Sequence, residues 1–134
     1  MTLNIRVIAP DRTVWDANAE EVILPSSTGQ LGILTGHIPL LTALDIGVMR
    51  VRIDKDWIPI VLLGGFAEVE NNTITILVNG AEETEDIDAE TAQQKLDEAS
   101  AVFADAITNK DKIEATQNIR KARARLQAIA TINS

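Results

Sequence analysis

TITILVNGAEETEDIDAETAQQKL, residues 73–96, spans the point at which the pattern of the chain changes. Ile74, Ile76 and Val78 alternate with Thr73, Thr75 and Leu77, the period of a half-buried strand. All seven glycines and all four prolines lie before residue 81, so nothing in the 54 residues that follow breaks a long helix. From Asp88 the spacing becomes three and four. Ala89, Ala92, Leu96, Ala99, Phe103 and Ala106 repeat in this way, and Ala115, Ile119, Ala122, Leu126 and Ile129 follow suit. Thr108-Asn109-Lys110 separates the two runs and is expected as a polar turn. The tail is predicted to be two antiparallel helices. Asp88 is expected as the N-cap, with Ile87 placed for a staple contact to Ala92.

Working back from the change point, Leu3, Ile5 and Val7 alternate with Asn4 and Arg6, and Met49, Val51 and Ile53 with Arg50 and Arg52. A short run, Val22 to Leu24, is expected to stop at Pro25. Asn71-Asn72 and Asp54-Lys55-Asp56 suit tight hairpin turns, because Asn tolerates positive φ. Many short strands at close spacing predict a mainly β fold followed by α. Specifically, an antiparallel β-sandwich over residues 1–86 precedes a two-helix hairpin over residues 87–134. An open α+β sheet is the alternative that pattern alone leaves standing. Only Trp15, Trp57, Phe66 and Phe103 are aromatic, so the core must be aliphatic. The hairpin seam is rich in alanine, which hides little area. Its large members, Leu96, Phe103, Ile119 and Leu126, give roughly 1.5–3 kcal/mol each if fully buried. A free hairpin is therefore marginal and needs a surface to dock on, which makes it a candidate two-state element.

Composition excludes several functions. A formal net charge of −8 argues against nucleic acid and against electrostatic adhesion to anionic lipid. The chain has no cysteine and one histidine, His37, so no thiolate or multi-histidine metal site is expected, and no metal at all is assigned. MTLNIRVIAP lacks the layout of a secretory signal. The longest near-apolar run, residues 58–67, is half a spanning helix, so a soluble chain without membrane insertion is expected. Neither GxxxxGK[ST] nor GxGxxG occurs. Ser26 or Ser27 as nucleophile would need His37 as base with no sign of a triad, so no catalytic residue is assigned and an enzyme on this sandwich is disfavoured. Glu20-Glu21 suits a solvated strand or turn. In the tail, Glu82, Glu83, Glu85, Asp86, Asp88 and Glu90 precede a basic stretch, Arg120, Lys121, Arg123 and Arg125. Opposed charge at the two ends of a helical segment is ordinary dipole chemistry, and in a hairpin the bases would lie near Asp97 and Glu98.

GQLGILTGHIPLL, residues 29–41, packs three glycines, a proline and the lone histidine among aliphatics. By itself it suits a compact loop between strands. Together with GGFAEVENNTITILVN, residues 64–79, it closely resembles the epsilon subunit of rotary ATP synthases. MTLN at the start, Val14-Trp15-Asp16, Asp45-Ile46-Gly47 and Asp86-Ile87-Asp88 are most similar to the cyanobacterial and chloroplast type. The resemblance covers essentially the whole chain. It implies a sandwich of about ten strands, a non-catalytic place in the central rotor, and a peripheral location on the stromal or cytoplasmic face of an energy-transducing membrane, the thylakoid above all. It places Gly29, Gln30, Leu31 and Gly32 at the c-ring, and His37, Pro39, Leu40 and Thr42 at or near the gamma subunit and the ring. Gln30 departs from relatives that are acidic there. The resemblance also implies that the hairpin extends along gamma, between the alpha and beta catalytic subunits, to inhibit ATP hydrolysis, with Arg120, Lys121, Arg123 and Arg125 facing an acidic segment of beta.

Some bacterial relatives bind ATP at the hairpin through an I/L-D-x-x-R-A motif and arginines of the second helix. The corresponding stretch here is Ile87-Asp88-Ala89-Glu90-Thr91-Ala92. Thr91 removes a charge-assisted phosphate contact. Asp88, Ala92, Arg120 and Arg123 remain as candidate nucleotide residues, so ATP binding is expected to be weak or absent and no cofactor is required. A nucleotide-sensing module is the alternative function.

Overall fold

In the computed structural model, residues 2–132 are described. Met1 of the MTLN motif and residues 133–134 at the end of the expected hairpin domain lie outside them. Eight strands come first: β1 (Leu3–Ala9), β2 (Arg12–Ala19), β3 (Glu21–Ser26), β4 (Gly29–Leu34), β5 (Leu40–Ile53), β6 (Asp56–Glu70), β7 (Thr73–Val78) and β8 (Ala81–Glu83). A single 3-10 turn, Thr84–Asp86, leads into α1 (Ala89–Asp105) and α2 (Asn109–Ile132). The strands run in the order β2-β1-β7-β6-β5-β3-β4, with β8 beside β6. All pairs are antiparallel except β1 with β7, so the sheet is mixed, not wholly antiparallel as expected.

The alternating positions all turn inward. Leu3, Ile5 and Val7 of β1, Val22 and Leu24 of β3, Met49 and Val51 of β5, and Ile74, Ile76 and Val78 of β7 share one buried cluster with Ile33, Ile60 and Leu62. The sheet thus folds over one aliphatic core, and Phe66 and Phe103 stay outside it. The near-apolar run in β6 has a separate cause. Ile60 and Leu62 face the core, while Val61 faces the other way and is buried with Val48 beneath Ala124 and Ala128 of α2. A strand covered on both faces loses its alternation.

Two long strands account for the strand count. β5 and β6 run 14 and 15 residues, and their ladder is interrupted between Leu44–Gly65 and Ile46–Leu63. Divided there, the two strands would restore the expected number of about ten. Beyond the interruption, β6 exchanges β8 for β7 as its outer neighbour. Gly65 has φ +153, and a Cβ there would run into the Leu77 carbonyl and the Val78 Cα. Only glycine lets the two strands approach so closely.

The hairpin turns form as expected in one place and shift in others. Asn71 and Asn72 have φ +51 and +61, the left-handed pair of a tight turn. The other turn is Asp54-Lys55 alone, with φ +56 at Asp54, and Asp56 already belongs to β6. Pro25 does not end β3. It pairs with Gln30 of β4, and on the other side the β3–β5 register shifts between Ile23 and Ser26, which spares proline a ladder donor. Glu20 and Glu21 are not merely solvated. Glu20 accepts from the Asp54 amide at 3.0 Å, and Glu21 lies 3.6 Å from Arg52.

The tail is not helical from its start, because residues 81–83 add a strand to the sheet. Asp88 caps α1, accepting from the Thr91 amide at 3.2 Å. Ile87 packs against the Val48, Val61, Ala124 and Ala128 cluster. The interhelical break falls at residues 106–108, two residues earlier than expected, since Thr108 caps α2 by accepting from the Asp111 amide at 3.2 Å. The buried seam is alanine alone: Ala92 and Ala99 of α1, Ala115 and Ala122 of α2. Leu96, Ile119 and Leu126 are half-buried, and Phe103 is 43% exposed, so the expected large seam residues do not reach full burial. Close alanine contact brings the backbones together and leaves longer side chains at the rim.

Candidate interaction surfaces

The segment between residues 26 and 42 is built around a buried hydroxyl. Ser26 ends β3 and is buried, with its Oγ 3.0 Å from the Thr42 hydroxyl and 3.2 Å from that of Thr28. The Thr28 amide also donates to it at 3.3 Å. Ser26 is thus a pin joining the β3–β4 turn to β5, and its hydroxyl is fully engaged. Gly29, Gln30 and Gly32 are exposed on the edge strand β4, and Leu31 packs partly against the core. Arg50 donates from Nη2 to Gln30 Oε1 at 3.1 Å, so the amide is oriented from within the sheet.

The following loop, residues 35–39, is tied to the β6–β7 hairpin. Gly36, at φ +83, donates its amide to Asn72 Oδ1 at 2.7 Å. The backbone carbonyl of the same Asn72 accepts from Asn4 at 2.9 Å, so one turn residue joins β1, the loop and β7. His37 is half-buried, and its Nδ1 donates to the Ile38 carbonyl at 2.7 Å. Pro39 is exposed, while Leu40 and Thr42 are half-buried at the start of β5. The eight candidate residues therefore lie along one strand, one loop and the next strand, braced by Ser26 and Asn72. Three neighbours not singled out in the sequence are more exposed than any large apolar residue on a monomer needs to be. Leu34, Ile38 and Leu41 show 54%, 75% and 70% of their surface.

A second apolar feature was hidden in the alternation. Ala43 pairs with Phe66, Phe66 with Leu77, and Leu77 with Ile8, giving a row of outward side chains across β5, β6, β7 and β1. Phe66 and Leu77 are more than half exposed, and both line a shallow depression with Ile8, Pro10 and Asn79. The signal was Leu77, an apolar residue standing where Thr73 and Thr75 set the polar phase.

In the tail the basic stretch divides. Arg125 is paired with Glu82 of β8, not with Asp97 or Glu98. Its Nε donates to Oε1 at 2.7 Å and its Nη2 to Oε2 at 2.8 Å. The Glu82 carboxyl is held below its ordinary value chiefly by this hydrogen bond. The Arg125 charge and then Lys95 and Lys121 add to the effect, against partial burial. Arg120 and Arg123 are exposed and make no ion pair among the described residues. Lys121 and Arg125 line the groove between the helices with Lys95, Glu98 and Asn118. None of the nucleotide candidates Asp88, Ala92, Arg120 and Arg123 lines that groove. Ala92 is buried in the seam, and the Asp88 carboxylate accepts from both the Thr91 hydroxyl, at 2.6 Å, and the Thr91 amide. Glu83, Glu85 and Asp86 bring their carboxylates together at the entrance to α1. Burial pushes the Glu83 carboxyl up, and Glu85 and Asp86 add to it.

Residues 2–84 match the family profile described as "ATP synthase, Delta/Epsilon chain, beta-sandwich domain". The chain belongs to the ATP synthase delta/epsilon family. Within it the chain is of the epsilon type, a non-catalytic subunit. It is 73% identical over 134 residues to the chloroplastic ATP synthase epsilon chain of Pyropia yezoensis, covering 100% of both. To the ATP synthase epsilon chain of Thermosynechococcus vestitus it is 63% identical over 131 residues, covering 96% of this chain and 95% of that one. Among solved structures, a chain of the Euglena gracilis mitochondrial ATP synthase, OSCP/F1/c-ring, superposes with a TM-score of 0.84 at 21% identity, over 96% of this chain and 81% of that one. A chain from the Tetrahymena thermophila mitochondrial ATP synthase central stalk and c-ring gives 0.65 at 19% identity, over 98% and 97%. At those identities the likeness is one of fold. Among the described residues no helix is long and apolar enough to cross a membrane.

Proposed function

We propose that this epsilon subunit works as a rotor joint with a detachable brake. The sandwich, residues 1–86, holds the gamma subunit and seats on the c-ring through Gly29–Gly32, His37, Pro39, Leu40 and Thr42. The hairpin, residues 87–134, leaves the sheet and inserts beside the catalytic alpha and beta subunits to inhibit ATP hydrolysis, with Arg120, Lys121 and Arg123 meeting acidic groups there. The complex holds the chain peripherally at the stromal or cytoplasmic face of a thylakoid-type membrane. The observation that carries this is the inequality of the two packing surfaces. The sandwich closes its own core of aliphatic side chains. The hairpin sits on it through a smaller cluster, Val48, Val61, Ala124 and Ala128 with Ile46, Leu63 and Ile87 packed around them, and one ion pair. An alanine methyl hides on the order of 0.8 kcal/mol of apolar surface, so such a seat is easily vacated.

ATP hydrolysis by an alpha–beta–gamma complex tests the proposal. The full chain and a version ending at Asp86 are each added, and binding is checked by co-elution. Both should bind, and only the full chain should inhibit. Failure of both to bind gamma would end the rotor assignment; equal inhibition by both would end the brake.

Nucleotide sensing is the second reading. Thr91 spends its hydroxyl and its amide on Asp88, so the carboxylate completes a helix cap where a phosphate-binding arginine would stand. Weak or absent ATP binding follows, and Thr91→Arg should strengthen it. A calorimetric dissociation constant for the unaltered chain well below millimolar would reverse this reading.

A further inference from the structure

The seat of the hairpin contains one charged pair, and it draws on the same basic stretch that the proposed brake uses. Alternation in β8 sets Glu82 opposite Val61, on the face toward α2. Ala124 and Ala128 rest on Val61 and Val48, and Arg125, next to Ala124, reaches over the edge of this apolar seat to both Glu82 oxygens. Its side chain is 17% exposed and that of Glu82 28%, so the pair is partly desolvated and bidentate, unlike a rim contact. Everything else in the seat, including Ile46, Leu63 and Ile87 around the buried cluster, is apolar and makes no directional side-chain contact. One guanidinium therefore carries the directional part of the docking.

We propose that Glu82 is an internal competitor for Arg125: while it holds the guanidinium the hairpin stays on the sheet, and the extended position requires Arg125 to exchange Glu82 for a carboxylate of the partner. This rests on the two-position reading of the hairpin. It assigns a function to β8, a three-residue strand whose addition to the sheet edge serves to present Glu82. It also divides the basic stretch: Arg120 and Arg123 are exposed and ready in the docked state, whereas Arg125 becomes available only after release.

The test uses the full chain assembled with alpha, beta and gamma. The chain has no cysteine, so Asp56→Cys on β6 and Ser100→Cys on α1, both exposed, take a fluorophore pair before assembly. The distance distribution reports the two positions, and ATP hydrolysis is followed in parallel. Glu82→Gln keeps the shape and removes the charge. It should lower the docked-to-extended ratio roughly five- to thirtyfold and deepen inhibition. Arg125→Lys, which keeps the charge but loses the second hydrogen bond, should fall between. Two populations in the unaltered chain with an unchanged ratio in Glu82→Gln overturn the latch alone. A single distance in every variant overturns the two-position reading, and the latch with it. A Glu82→Gln chain whose tryptophan near-ultraviolet dichroism collapses has lost the sandwich rather than the latch, and an unshifted Arg125→Lys ratio then overturns the proposal.

Discussion

Gly65 is the residue on which the close approach of β6 and β7 depends. Its φ of +153 is closed to side chains, and the obstruction is backbone, which cannot step aside as a flexible side chain can. Gly65→Ala should cost roughly 2–4 kcal/mol, read as a lowered urea midpoint at unchanged slope. Glu82 and Glu83, neighbours in β8, titrate in opposite senses. Glu82 is lowered from its ordinary 4.5, so the stability it gives is present above about that pH and is lost as pH falls through its value in the folded chain. Glu83 is raised from 4.5, so its protonated form favours the fold. That contribution is complete below 4.5 and disappears as pH rises through its folded value. Acidification should therefore undock the hairpin only below about pH 4.5, visible as a change in label distance, and Glu82→Gln should abolish that acid limb. At this scale the sequence was least informative. Nothing local marks Glu82 among six acids, because its partner lies 43 residues away on another element. Ser26, too, looked like any serine until the fold set Thr42 beside it.

Elements were legible where one period ran unbroken. β1, β7 and both helices follow their spacing, and the Asn71-Asn72 turn follows from the residue type. Pattern failed where two structures shared a stretch. Residues 81–83 carry no strand signal, since three residues cannot show a period, and their pairing comes from the open edge of β6. β6 itself read as an apolar run because α2 covers its second face. The helical seam and its alanine content were legible; the larger residues assigned to it, Leu96, Phe103, Ile119 and Leu126, stand aside. Ala122 is fully buried there, so Ala122→Leu should overpack the seam by about 1–3 kcal/mol and part the helices. Faster amide exchange along α1, with the sandwich strands unaffected, would show it. Slower exchange would mean the seam holds unused space.

For the whole molecule, the exposed apolar residues divide by proposed duty. Ile38 lies in the braced loop and Leu41 just beyond it, and Ile38→Ser with Leu41→Ser should leave the melting temperature within about 2 °C while weakening co-elution with gamma and the c-ring at least tenfold. Unaltered co-elution would move the anchor elsewhere, the Phe66–Leu77 row being the next surface to test. Neutralising Arg120, Lys121 and Arg123 together should relieve inhibition with gamma binding intact. Leaving Arg125 in place matters, because its removal would free the hairpin and weaken the brake at once. Persistent full inhibition in that triple alanine variant would dismiss an electrostatic brake. At this scale the resemblance of residues 29–41 and 64–79 told more than any pattern, because a partner's surface leaves no period in the chain that meets it.

The β5–β6 ladder runs from Leu40–Val69, beside the braced loop, to Val48–Val61, beneath α2, with a single interruption at Asp45 and Gly64. A hydrogen-bonded ribbon is stiff along its length and soft where its rungs are missing. If the loop meets a partner as proposed, load entering there would pass along the ribbon and flex it at that one joint. Under the proposed rotor reading, that missing rung is a flexible joint of fixed position between the loop and the seat of the hairpin.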